Sequence, residues 1–288
     1  MKKRLLSIVG IAVFTLSLCA CQSSNTSTQS SDLSATETDT VSADTSIPDS
    51  ETLYQVSLLQ GLTLGDYYGS ITVAELKEHG DIGLGTFNAL NGEMIVLDGE
   101  VYRAAGDGSV EVVDDNETIP FSDVTFFDED EIMELKDVST FDDLTAILDE
   151  KVDELGTNRF YVIRIDATFD EINVRSEYAQ EEPYEPLATV LETDQTFYDY
   201  EECDGTIVGL YCPEYMSDLN ATGWHLHFVS SDRTKGGHVL GMKFTDATLA
   251  IDYTDGFNMQ LPDTSMFRDF DLTIDQSKDI EKVEKNTD

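Results

Sequence analysis

Apolar and polar residues alternate through much of the second half of this chain. The runs "RFYVIRIDATF", "GTIVGLYC", "WHLHFVS", "HVLGMKF" and "ATLAIDYT" set branched and aromatic side chains at every second position. A period of two is the repeat of a strand with one buried face. Earlier, "EMIVLDGEVYRA" holds Asp98-Gly99 between two apolar runs, the signal for a two-residue hairpin. Helical spacing is rarer. Leu144, Ile147, Leu148, Val152 and Leu155 predict a helix over Thr140–Leu155, and Gly156 stands where a C′ residue belongs. Thr72-Val73-Ala74-Glu75 matches a capping box and predicts a short helix ending near Gly80, with His79 in its last turn, where a cation is favoured. A further short helix is expected from Ser277 to Lys285. "GDIGLGTF" (Gly80–Phe87) has no Gly-Lys-Ser/Thr and follows a helix, so it is no phosphate loop; a tight turn into a sheet is expected. The pattern predicts a mixed α/β (α+β) fold with mostly antiparallel sheet, curling toward a barrel in its second half.

The first residues break this pattern. Lys2, Lys3 and Arg4 precede an apolar run of about fifteen residues, short for a membrane span and suited to a secretory leader. The run ends in Leu18-Cys19-Ala20-Cys21, which resembles the bacterial lipobox. Residues 1–20 are expected to be a signal peptide and Cys21 a lipidated anchor; an ordinary leader cleaved nearby is the alternative. From Gln22 to about Ser50 the chain is rich in Ser, Thr, Asp and Ala, too polar to offset its ordering entropy, so residues 21–50 read as a tether. Residues 51–288 are then the folded part. The expected location is the outer face of the cell membrane, lipid-anchored, or the medium.

Charge narrows the partners. Lys and Arg number 17 against 58 Asp and Glu, a net charge of −41, which removal of the leader makes more negative. A nucleic acid or an anionic membrane surface would meet repulsion, and membrane contact is expected only through the Cys21 lipid. A small anionic substrate would need local cations at its site. Cys203 and Cys212 flank "GTIVGLY", which reads as a strand. Nine extended steps span roughly 30 Å, against a bridging limit of about 7 Å, so two unbridged thiols are expected.

The stretch "TGWHLHFVSSDRTKGGHVLG" (Thr222–Gly241) holds three of the chain's four histidines. On a strand His225 and His227 share one face, while Trp224, Leu226 and Phe228 share the other. "SSDRTKGG" reads as a hairpin loop and His238 opens the returning strand, about 4.8 Å away. Three neutral imidazoles at one point suit a borderline divalent cation, zinc first, and leave coordination positions open for chemistry. A half-exposed strand without metal is the plainer alternative. Cupins follow His-x-His with a glutamate, absent here, and α-type carbonic anhydrases place the third histidine further along.

"GDIGLGTFNALNGEMIVLDGEVYR" (Gly80–Arg103), "VRSEYAQEEPYEPL" (Val174–Leu187) and the histidine stretch together resemble the α-acetolactate decarboxylase family, over roughly residues 53–288. The resemblance implies a two-lobed α/β protein, with lobes of approximately 51–165 and 166–288, the first sheet-rich and the second barrel-like and metal-bearing. It implies a zinc-dependent conversion of 2-acetolactate to acetoin and carbon dioxide, and a homodimer. It makes His225, His227 and His238 the zinc ligands and Arg175, Glu93 and Glu284 the catalytic residues, with Glu281 one helical turn from Glu284. Around Arg175 this chain is more acidic than the family pattern. The chemistry fits: loss of carbon dioxide from a 2-hydroxy-3-keto acid leaves an enediolate, whose charge a Lewis acid would stabilise, while an arginine would orient the carboxylate. Arg175, Glu93 or Glu284 would supply the proton. A surface zinc-binding lipoprotein without catalysis is the alternative. Glu100 and His79 carry no expected role.

Overall fold

The computed structural model describes residues 49–285 other than 218, with the side chains of 277, 281, 284 and 285 outside that description. The expected leader, the anchor Cys21 and the tether up to residue 48 also lie outside it. The described residues form one compact unit. The chain runs β1 (Thr52–Val56), α1 (Leu59–Thr63), β2 (Ile71–Thr72), α2 (Val73–Leu76), β3 (Ile82–Thr86), β4 (Glu93–Leu97), β5 (Glu100–Ala104), β6 (Val110–Val112), β7 (Thr118–Ile119) and β8 (Phe121–Thr125). It continues through β9 (Glu131–Val138), α3 (Phe141–Leu155), β10 (Phe160–Glu177), α4 (Leu187–Thr193), β11 (Gln195–Cys212), β12 (Gly223–Ser230), β13 (Gly236–Thr254), β14 (Gly256–Gln260), α5 (Ser265–Asp269) and α6 (Ser277–Lys285).

Among the described residues, a first sheet has the order β14-β1-β8-β3-β4-β5-β6 and a second β10-β11-β12-β13-β9, with β10 also paired to β13, while β2 and β7 form a small two-stranded sheet. The pairings are antiparallel except β1 with β14. The first sheet is buried on both faces, which is why "EMIVL" is apolar at four consecutive positions. Leu53, Ile82, Leu84, Ile95 and Leu97 face Phe160, Val162, Val208 and Leu210 of the second sheet. Tyr54, Val56, Met94, Val96 and Val124 pack on the opposite side, against Val73 and Leu76 of α2. The other face of the second sheet, with Ile163, Ile165, Leu226 and Phe228, packs on Leu144, Leu148 and Val152 of α3.

Local signals are realised. Asp98 and Gly99 turn between β4 and β5 with φ of 54° and 78°, the left-handed pair a two-residue hairpin needs. The Thr72–Glu75 capping box is present, and Thr140 caps α3, which ends before Gly156. Cys203 and Cys212 are buried free thiols.

Three expectations change. Helix α2 stops at Leu76, so His79 lies beyond it and stacks on Tyr54 at 3.7 Å. "GDIGLGTF" is the strand β3 itself and not a turn. A Cβ at Gly83 would lie 2.0 Å from the Asp123 carbonyl oxygen, and one at Gly85 2.4 Å from that of Phe121, so the glycines admit the backbone of β8. "HVLGMKF" and "ATLAIDYT" belong to one strand, β13, and β10 likewise runs past "RFYVIRIDATF" to Glu177 and through the expected lobe boundary at 165/166.

Asp252 on β13 is fully buried. Burial, with Asp130, Glu51 and Asp128 nearby, pushes its carboxyl up to about 7, against the Asp128 N–H it accepts. An unfolded aspartate titrates near 3.9. Between these values the folded state holds the extra proton, so this stabilisation is present below pH ~4 and is lost as pH rises through about 7. Asp252→Asn removes that loss. The melting-temperature gain of the variant over wild type is expected to grow from pH 5 to pH 8; thermal melts at both pH values check this.

Candidate metal centre

Strand β12 and the start of β13 form a hairpin in which His227 pairs with His238. Alternation puts His225 beside His227, on the face opposite Leu226 and Phe228. That face looks into the seam between the two sheets. There Nε2 of His225 stands 3.0 Å from Nε2 of His227 and 3.1 Å from Nδ1 of His238. All three rings are buried.

The donor set fits a cation. Nδ1 of His227 donates to the Met94 carbonyl at 2.7 Å, which leaves its Nε2 a lone pair aimed at the other two rings. The three ligand atoms lie within 4.8 Å of one another. A tetrahedral zinc with nitrogen ligands sets neighbouring donors about 3.3 Å apart. Burial, with Arg175 adding to it, holds His225 down to about 3. Burial, then His225 and Arg175, hold His227 well below its usual range, against the Met94 carbonyl. Neutral imidazole is the form that binds metal. Among the described residues this is the one group of His, Cys, Asp and Glu side chains close enough to share an ion.

The other expected residues converge here from distant positions. Glu93 opens β4 directly after Gly92, whose φ is +85° and whose Cβ would meet the Ala104 carbonyl at 2.5 Å. Thr86 Oγ1 donates to the Gly92 carbonyl at 2.8 Å and holds the bend. Glu93 is 7% exposed, with Oε2 3.3 Å from Nε2 of His227. Arg175 on β10 pairs in register with His238, just past a register shift at Asn173/Val174. It is 4% exposed and donates from Nη2 to the Val283 carbonyl at 2.7 Å. Helix α6 therefore reaches the site through its backbone. Glu284 lies on α6, and its side chain, like that of Glu281, falls outside the described residues. Glu100 is exposed on β5, away from these residues.

His225, His238, Glu93 and Arg175 line one cavity, partly open to solvent. Thr86 and Glu177 line it too, as do Leu59, Leu62, Leu187 and Leu191. These were not expected from the sequence. Glu177 is 2% exposed and follows Arg175 by two on the same strand, so alternation from Arg175 would have found it. The leucines sit on α1 and α4, whose approach to the hairpin is set by the fold alone.

A mixed α/β scaffold with a buried three-histidine centre beside an arginine is a site that could hold a metal ion. Comparison with known proteins narrows the class. The family profile for alpha-acetolactate decarboxylase matches residues 53–274. An alpha-acetolactate decarboxylase of Methanosarcina mazei is 39% identical over 236 residues, 82% of this chain and 81% of that protein. The crystal structure of alpha-acetolactate decarboxylase from Bacillus subtilis strain 168 aligns with a TM-score of 0.78 and 35% identity, covering 81% of this chain and 99% of that one. A Staphylococcus aureus protein of unknown function similar to alpha-acetolactate decarboxylase aligns at 0.76 with 30% identity, covering 81% of this chain and 100% of that one. The chain belongs to the α-acetolactate decarboxylase family and is a decarboxylase.

Replacing His227 by alanine removes a donor and the ring held by Met94. Affinity for Zn²⁺ or Co²⁺, measured by equilibrium dialysis, is expected to fall more than about 100-fold, with circular dichroism unchanged.

Proposed function

We propose that this protein decarboxylates 2-acetolactate to acetoin at a zinc ion held by His225, His227 and His238. The observation that carries the reading is Arg175, a buried guanidinium lining the same cavity as the histidines in a chain of this family. Zinc at that point would supply Lewis-acid stabilisation of the negative charge that develops as carbon dioxide leaves.

The chain's own side chains do the rest. Arg175 binds and orients the substrate carboxylate, for which its planar fork is suited. Its Nη2 is already committed to the Val283 carbonyl, so the guanidinium is held in place before substrate arrives. In a protein of net charge −41, this local cation offsets the repulsive far field at the point of binding. Glu93 stands on the histidine side of the cavity, within reach of the centre. It is a candidate to hold or relay the proton that replaces the carboxylate, together with Arg175 and Glu284.

The pairing of β10 with β11 and β13, and of β12 with the same two strands, supports a barrel-like reading of the second sheet. A homodimer is proposed from the family resemblance. The lipobox-like Leu18–Cys21 supports export and a lipid anchor on Cys21, with substrate met outside the cell. Cys21→Ser is expected to move the protein from the membrane fraction to the medium or to block its processing, read by fractionation and immunoblot.

Metal analysis and acetoin production on one sample test the main reading. About one zinc per chain and release of carbon dioxide from 2-acetolactate are expected. A folded, zinc-loaded protein that leaves acetolactate untouched refutes it. Arg175→Ala is expected to lower kcat/KM by at least about 100-fold while zinc stays bound. A zinc-capture protein without chemistry would show no such dependence on Arg175.

A further inference from the structure

The cavity at the histidine centre has two unlike walls. Strands supply one, where His225, His238, Glu93 and Arg175 present nitrogen and oxygen. The other is apolar, with Leu59 and Leu62 of α1, Leu187 and Leu191 of α4, and Leu90 and Phe121 beside them. A 2-hydroxy-3-keto acid carries its carboxylate, hydroxyl and ketone on neighbouring carbons. When those polar groups meet the strand wall, its alkyl substituents are left for the leucines. We propose that Leu62, Leu187 and Leu191 form an alkyl subsite that sets the largest substituent the enzyme accepts on carbon 2. The proposal rests on the reading that the substrate is such an acid.

The leucine wall is backed and cannot retreat. Leu62 and Leu187 belong to one buried cluster with Tyr67, Val190, Ile280 and Val283, the last two on α6. Tyr67 is fully buried and donates from its hydroxyl to the Glu185 carbonyl at 2.9 Å, tying the chain after α1 to the entry of α4. Lys282 of α6 meets Glu192 of α4 at 2.9 Å. The strand wall is fixed as well, by the Met94 carbonyl on His227 and the Val283 carbonyl on Arg175. Between two fixed walls, added volume forces side chains off their rotamers instead of being absorbed. Leu191 is half-buried, so it forms the solvent end of the subsite, and Leu62 and Leu187, each 6% exposed, form its floor.

The test compares 2-hydroxy-3-oxobutanoates with methyl, ethyl or propyl on carbon 2. They are assayed with metal-loaded wild type, Leu62→Ala and Leu187→Ala. A pocket of this kind discriminates about 10–200-fold per methylene. Wild-type kcat/KM is expected to fall at least about 100-fold from methyl to propyl. Each alanine variant is expected to raise the propyl-to-methyl ratio at least about tenfold. Leu62→Val replaces Leu62→Ala if that variant does not fold. A wild type that takes propyl as readily as methyl overturns the proposal, as does a ratio unchanged in both positions' variants. Calorimetry with unreactive 2-hydroxy-2-methylpropanoate and 2-hydroxy-2-methylpentanoate reads the same wall without turnover. If no substrate is decarboxylated, the functional reading fails, and the order of these affinities still decides for or against the leucine wall.

Discussion

Three imidazoles buried at the seam of two sheets are the constraint around which the rest of this structure is arranged. Polar rings removed from water cost stability unless each finds a partner. The Met94 carbonyl, on the neighbouring sheet, satisfies Nδ1 of His227 and turns its Nε2 inward. That single hydrogen bond joins β4 to β12 and fixes the tautomer. The register His227 to His238 then brings the third ring to within hydrogen-bond distance of the first. Shifting either strand by one residue would point the rings at the α3 side of the sheet, into Leu226 and Phe228 territory. Ordinary sheet register thus protects the centre.

The charges of the cavity follow from the same seam. Arg175 is the cross-strand partner of His238 and so arrives beside the centre through backbone pairing. Its field reinforces the burial that keeps His225 and His227 neutral. Glu93 enters from the other sheet, turned inward by the bend at Gly92. Cation, carboxylate and imidazoles therefore come from four strands and two sheets. Short helices α1 and α4, clamped by α6, close the side that the strands leave open. Strands hold the histidines, Arg175 and Glu93, while helices α1 and α4 bring leucines to the same cavity.

Much of this was legible in residues near one another in the chain. The Asp98-Gly99 turn, the Thr72–Glu75 box, the Thr140–Leu155 helix and the His-x-His strand with its hairpin all rest on contacts within about a dozen residues. The lengths of β10 and β13 were not. Polar breaks such as "DEIN" and "TDAT" read as ends of strands, yet pairing on both edges carries β10 through the first and β13 through the second. The helix after Thr72 ends at Leu76, short of Gly80, and His79 stacks instead on the ring of Tyr54 on β1. Glycines 83 and 85 looked like a turn because their reason, the close backbone of β8, lies about forty residues away.

The sequence by itself determined the ligand hairpin: alternation puts His225 and His227 on one face, and the polar, glycine-ended loop returns His238 to them. With the blocks at Gly80 and Val174 it also carried the family resemblance, and with it Arg175 and Glu93. Only the tertiary structure decided what surrounds the centre. Glu177, Thr86 and the leucines of α1 and α4 carry no local pattern for a cavity, since a side chain becomes part of a wall only when an opposing wall is placed before it. That placement depends on long-range strand pairing and on α6 folding back to Arg175, contacts that span more than a hundred residues and have no periodicity to read.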